Sequence, residues 1–293
     1  MLTTHPLVPA ARDFAEEIAR HSGDETKVYK TSGERDLLIS FYYPAGYDPG
    51  ARYPLLVFVH GGGWQGRKIF PDQADWAGDY LGFLARYYAN RGWLCASIDY
   101  RLMQQKGQQP GFEMMDLFED CMDALEYIKD SAEDIGADLD RTAVLGESAG
   151  GHLAAMLITQ TDFFRTGVLV NPVTDFTDPR WNLLLPERPA HPALRGMSAK
   201  EVVSLFSPLQ QVRPGICPAL ILHGAADSVV EPRHSTAFHE RMLGCGNEAQ
   251  LHFIADTNHA FLLAEYMQEL NVRLDAADIA VGLIDQWLNE KIG

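Results

Sequence analysis

Four short segments of this sequence carry residue types that together could cleave an acyl bond. The first is Gly146-Glu147-Ser148-Ala149-Gly150, a G-x-S-x-G pattern. The apolar run Thr142-Ala143-Val144-Leu145 precedes it, and a helical pattern through His152, Leu153, Met156 and Leu157 follows. A strand–turn–helix elbow of this kind holds its serine in a strained, exposed position, and its glycines avoid collisions that side chains would cause. A serine hydroxyl is a weak nucleophile at neutral pH, so it needs a base that is itself oriented by an acid. Among the downstream histidines, His259 alone follows the C-terminal end of the last strand pattern, where catalytic loops of open parallel sheets gather. For the acid, Asp227 follows the penultimate apolar strand in His223-Gly224-Ala225-Ala226-Asp227, with Asp256 and Glu231 as rivals. The fourth segment is His60-Gly61-Gly62-Gly63-Trp64, directly after the apolar run Leu55–Val59. Backbone amides of Gly62 and Gly63, with that of Ala149, could stabilise a tetrahedral oxyanion. The bland alternatives are a capping serine, a satisfied structural histidine, a turn-capping aspartate and a plain glycine turn.

The elements that must position these residues alternate along the chain. Leu37, Ile39, Phe41 and Tyr43 recur with period two, as in a half-buried strand ending at Pro44. Leu55–Val59 is apolar throughout, the pattern of a strand buried on both faces. A helix is expected from about Tyr80 to Asn90, and a strand over Trp93–Ile98. A second helix carries Phe118, Cys121, Met122, Leu125 and Ile128 on one face. Short strands are expected at Val168–Val170, Ala219–Leu222 and Leu251–Ile254, with helices over Phe261–Leu270 and Ile279–Asn289. An amphipathic helix over Ala10–Arg20, followed by a polar stretch, opens the chain. This alternation predicts an α/β fold, a mostly parallel central sheet with helices on both faces. Residues 1–293 are expected to form a single domain. A proline-containing insertion at about 172–215 would act as a small lid, with a surface excursion as its plainer alternative.

Composition narrows the function classes. Lys and Arg total 24 against 40 Asp and Glu, a net charge of −16, which argues against a nucleic-acid partner. No stretch approaches the roughly 20 apolar residues of a membrane span, and Arg12, Asp13, Glu16 and Glu17 interrupt any N-terminal leader pattern. A cytoplasmic location is therefore expected. Cys95, Cys121, Cys217 and Cys245 form no CxxC pair and read as structural thiols. With no H-E-x-x-H, Walker or G-x-G-x-x-G pattern, neither a metal nor a cofactor is expected.

The chain resembles α/β-hydrolase fold serine esterases of the acetyl xylan/feruloyl esterase-like and hormone-sensitive-lipase-like carboxylesterase groups. The matching pieces are His60–Trp64, Asp99-Tyr100-Arg101, Gly146–Gly151, His223–Asp227 with Pro232, and Asn258-His259-Ala260-Phe261. The resemblance implies Ser148, Asp227 and His259 as a catalytic triad and Gly62, Gly63 and Ala149 as oxyanion donors. After Arg101 the sequence reads Leu102-Met103-Gln104-Gln105, where the hormone-sensitive-lipase-like group continues Leu-Ala-Pro-Glu. That departure favours the group acting on carbohydrate esters. Tyr100 and Arg101 are read as holding the loop architecture together. Trp64, Phe70, Trp76, Phe112–Met115 and Trp181–Leu185 are candidates for the wall of an acyl pocket, with Trp64 and Trp181 the chosen substrate-binding residues. Arg67 and Lys68 are the cations nearest the glycine loop. The expected substrate is a small-molecule ester with a short, acetyl-type acyl group, an acylated oligosaccharide being one candidate. The alternatives are an amide hydrolase, kynurenine formamidase-like or prolyl-oligopeptidase-like, and a non-catalytic ligand-binding relative.

Overall fold

The computed structural model describes residues 23–33, 35–66, 81–103, 112–259, 261–263 and 275–293. The helix expected over Ala10–Arg20 lies outside these residues, as do Arg67, Lys68, Phe70, Trp76 and most of the stretch expected as a helix after Phe261. In chain order the elements are β1 (Glu25–Ser32), β2 (Arg35–Tyr42), β3 (Tyr53–Val59), α1 (Gly82–Ala89), β4 (Leu94–Ile98), α2 (Met114–Ser131), β5 (Ala137–Glu147) and α3 (Ala149–Gln160). They continue with β6 (Thr166–Val170), α4 (Pro179–Asn182), α5 (Ala199–Leu205), α6 (Pro208–Gln211), β7 (Ala219–Gly224), α7 (Arg233–Gly244), β8 (Ala249–Ile254) and α8 (Ala276–Ile292).

The strands form one eight-stranded sheet in the order β1-β2-β4-β3-β5-β6-β7-β8. Only β1–β2 and β2–β4 pair antiparallel; every other pairing is parallel. This is the α/β-hydrolase fold that the resemblance implies, built on the mostly parallel sheet that the alternation of elements predicts. The uninterrupted apolar run in β3 follows from burial on both faces. Leu55, Val57 and Val59 face a core shared with α2 and α3, while Leu56 and Phe58 face one shared with α1 and α8. Each such aliphatic side chain contributes about 1.5–3 kcal/mol by leaving water.

The sequence pattern did not announce β1. Its residues Glu25-Thr26-Lys27-Val28-Tyr29-Lys30-Thr31-Ser32 are mostly polar, and no side chain in it is fully buried. As an edge strand it is held by backbone pairing to β2, and Lys30 reaches Asp120 and Asp123 at 2.7 and 2.6 Å. Of the candidate pocket-wall stretch Phe112–Met115, Met114 and Met115 open α2, with Glu113 as its N-cap. Asp116 accepts from the Glu113 N–H at 2.7 Å, which fixes the first turn.

The 172–215 insertion is bonded to three helices. The Glu113 carboxylate accepts from the Ala190 and His191 amides, the Phe206 carbonyl accepts from His152 of α3, and Arg233 of α7 donates to Asp178. Among the described residues no helix is long and apolar enough to cross a membrane.

At the end of β5 the chain turns with almost no room. A Cβ on Gly150 would lie 2.0 Å from the Val59 carbonyl oxygen, and one on Gly146 would lie 2.2 Å from the Gly150 oxygen. Gly282, by contrast, sits exposed inside α8 with nothing near its missing Cβ. Gly150→Ala is therefore expected to cost about 4 kcal/mol or more, or to abolish folding. Gly282→Ala should stabilise by about 0.5–1 kcal/mol through helix propensity. Urea unfolding of both variants checks the pair; equal effects would contradict the packing described.

Candidate active site

Ser148 stands between β5 and α3 with φ 56° and ψ −118°, a left-handed conformation unusual for a residue with a side chain. Its amide donates to the Val170 carbonyl at 2.8 Å, tying the strained turn to the end of β6. The crowding around Gly146 and Gly150 leaves the turn one compact path, and that path presents the Ser148 hydroxyl beyond the strand ends.

His259 and Asp227 arrive from the neighbouring strand ends, after β8 and β7. The Ser148 hydroxyl and His259 Nε2 are 2.9 Å apart, and His259 Nδ1 lies 2.6 Å from Asp227 Oδ2. An ionised carboxylate can only accept, so Nδ1 carries the proton and Nε2 is left to accept from the serine. Asp227 is buried, and its other oxygen accepts from the Val229 and Val230 amides at 2.8 and 2.9 Å. His223 Nε2 approaches Oδ2 at 3.4 Å as well. Burial alone would raise the Asp227 pKa, but hydrogen bonds from His223, His259 and the backbone outweigh it and hold the carboxyl well below the usual carboxylate range. Burial likewise works against a charged His259. The Asp227 hydrogen bond and the nearby charges of Glu147 and Asp227 outweigh that and lift His259 above its ordinary value of 6.5.

The rival acids are placed elsewhere. Glu231 pairs with Arg233 and, at 3.0 Å, with Arg180; Asp256 is exposed in a left-handed turn at φ 58°. The glycine loop follows β3 as expected. Gly62 and Gly63 are exposed with φ of 97° and 63°, and the close contact of Gly150 with the Val59 and His60 carbonyls sets the loop beside the serine turn. Ala149 opens α3, where an amide has no acceptor within the helix.

Trp64 is only 1% exposed, and its indole N–H donates to His152 Nδ1 at 3.2 Å. Trp181 in α4 packs edge-on against it with ring centroids 5.8 Å apart. The fully buried His152 donates its one N–H, on Nε2, to the Phe206 carbonyl at 2.9 Å. Burial pushes its pKa down to about 4, so it stays neutral as a strut between the glycine loop and the insertion.

Sequence reasoning missed three supporting residues. The Asn258 side-chain oxygen accepts from the Ser228 amide, the Ser228 hydroxyl and the His259 amide, joining the loops that carry Asp227 and His259. Asn171 accepts from the Gly224 amide at 2.9 Å and so steadies the start of the Asp227 loop. His234 of α7 is buried; its Nδ1 accepts from the Thr174 and Asp175 amides and its Nε2 faces Asp178. Adjacency to His259 was the one signal available for Asn258.

Comparison with known proteins adds to this geometry. The chain is 22% identical to esterase LipQ of Mycobacterium tuberculosis (strain ATCC 25618 / H37Rv) over 84% of its own length and 59% of that protein's. It is also 22% identical to the non-reducing polyketide synthase trt4 of Aspergillus terreus over 92% of its own length, yet spans 14% of the synthase. In three dimensions it is similar to a thermophilic esterase of Thermogutta terrifontis, Est2 with propionate bound. The TM-score is 0.72 at 26% identity, over 92% of this chain and 95% of that one. A model of the BD-FAE family matches residues 39–242, a span that takes in the glycine loop, Ser148 and Asp227. From β2 to α7, then, on an α/β-hydrolase sheet, the chain belongs to the BD-FAE family.

Proposed function

We propose that this protein is a serine carboxylesterase that cleaves short-chain, acetyl-type esters through an acyl-enzyme. The observation that carries the reading is the unbroken hydrogen-bonded series from the strained Ser148 hydroxyl through His259 to buried Asp227. In this reading Ser148 attacks the ester carbonyl while Nε2 of His259 takes its proton. Asp227 holds the required tautomer and stabilises the imidazolium that forms. The amides of Gly62, Gly63 and Ala149 stabilise the oxyanion. The imidazolium then gives its proton to the departing alkoxide, and the regenerated base activates water to release the acid. No metal or cofactor takes part.

Short acyl groups fit two observations. Trp181, backed by buried Trp64, supplies a large aromatic surface in the insertion, and we assign it to the acyl wall. The Thermogutta terrifontis esterase 2 structures bound to propionate and to butyrate, 26% and 28% identical to this chain, extend the argument by analogy. Acetylated sugars are the first natural esters to try, and the 172–215 insertion would cover the bound alcohol.

The direct assay is kcat/KM for p-nitrophenyl acetate, butyrate and octanoate, with a formyl-amide substrate alongside. Activity should be highest on acetate and fall with chain length. Ser148→Ala should lower it by about 10⁴-fold or more. Activity unaffected in that variant would sink the assignment, and preference for the amide would replace the esterase reading.

The pH profile gives a second prediction. The base works only when neutral, and a raised pKa keeps it protonated to higher pH. The acid limb of kcat/KM should therefore have its midpoint above 6.5. Asp227→Asn should lower kcat by about 10⁴-fold and move the limb of the residual activity downward. A wild-type limb below 6.5 would contradict the electrostatics described.

A further inference from the structure

The oxyanion amides can stabilise charge only if something aims them. A trans peptide is planar, so the carbonyl of one residue and the N–H of the next point in opposite directions. The Gly61 carbonyl accepts from His60 Nδ1 at 2.8 Å and lies 3.4 Å from the Tyr100 hydroxyl. The Gly62 N–H therefore faces away from His60 and Tyr100. The Gly62 carbonyl accepts from the Gln65 and Gly66 amides at 3.2 and 3.1 Å, so the Gly63 N–H faces away from that turn.

Residues 100–103, just after β4, grip both ends of this loop. The Tyr100 hydroxyl donates to the His60 carbonyl at 2.6 Å, and its ring lies flat on the His60 imidazole, 4.2 Å between centroids and 7° between planes. At the far end the Met103 amide donates to the Trp64 carbonyl at 2.7 Å. The grip is itself anchored. The Arg101 amide and guanidinium donate to Asp120 at 2.7–2.9 Å, and the guanidinium also meets Asp116 at 2.7 Å. A fully buried tyrosine that only filled space would need no hydroxyl, yet this one spends its hydroxyl on the loop carbonyl.

We infer, on the basis of the serine-esterase reading above, that Tyr100 is a positioning residue that fixes the aim of the Gly62 and Gly63 amides toward the oxyanion. Tyr100→Phe keeps the ring on His60 and removes only the hydroxyl; Tyr100→Leu removes both. The readout compares p-nitrophenyl acetate with its thionoester, in which sulfur replaces the carbonyl oxygen. Sulfur accepts hydrogen bonds weakly, so the thionoester draws less on the amides.

For Tyr100→Phe, kcat on the oxoester should fall about tenfold with KM within about twofold, and the thionoester rate should fall less. The oxoester-to-thionoester ratio then shrinks while the melting temperature shows a folded protein, and it shrinks further in Tyr100→Leu. Equal losses on both esters, a loss carried by KM, or no loss would overturn the assignment. Ser148→Ala runs as the control. Hydrolysis that survives in it removes the esterase reading and this inference together. Hydrolysis lost there, with the ratio unchanged in Tyr100→Phe, overturns the positioning role alone.

Discussion

Backbone contact between the serine turn and the end of β3 is the constraint on which the site depends. Gly150 lies so near the Val59 and His60 carbonyls that no side chain fits between them. That one approach does two things. It forces the Ser148 backbone into its left-handed conformation, at a cost of order 1–3 kcal/mol that the surrounding core must hold. It also sets the glycine loop, which begins at His60, beside Ser148. The parallel sheet supplies the rest of the geometry, because the segments after β3, β5, β7 and β8 all emerge at one edge.

Electrostatics then give the site a direction. Asp227 is buried but carries its charge, since two backbone amides and two imidazoles surround it. A carboxylate fixed in this way cannot rotate or take up the His259 proton, so the imidazole has one tautomer and its lone pair faces the serine. Glu147, next to Ser148, adds to the field that favours a charged imidazole. His152 shows the opposite environment only four residues from Ser148. Without a carboxylate partner, burial keeps it neutral, and it serves as a strut.

Much of this was legible in the sequence because the fold places chemistry at strand ends. Apolar runs mark the buried strands, and the residue types after each run identify Ser148, Asp227 and His259 as neighbours before any distance is known. Legibility failed where partners come from far along the chain. β1 is polar because it is an edge strand, so neither face had to become apolar. His234 lies on α7, and the side it faces is set by Asp178 and the backbone at Thr174, which no local pattern encodes. The grip of residues 100–103 on the glycine loop spans some forty positions and runs partly through backbone atoms, which leave no mark in side-chain chemistry. Asn258 and Asn171 are single polar residues whose work appears only once two loops meet.

The central claim is that Ser148 is the one activated hydroxyl, and covalent labelling tests it most directly. The protein would be treated with an organophosphate such as paraoxon at neutral pH, and the adduct weighed intact and then located by tandem mass spectrometry. The account predicts a single phosphoryl adduct on Ser148, with labelling that slows as the pH falls through the His259 pKa. Absence of an adduct, or an adduct on another residue, would contradict it.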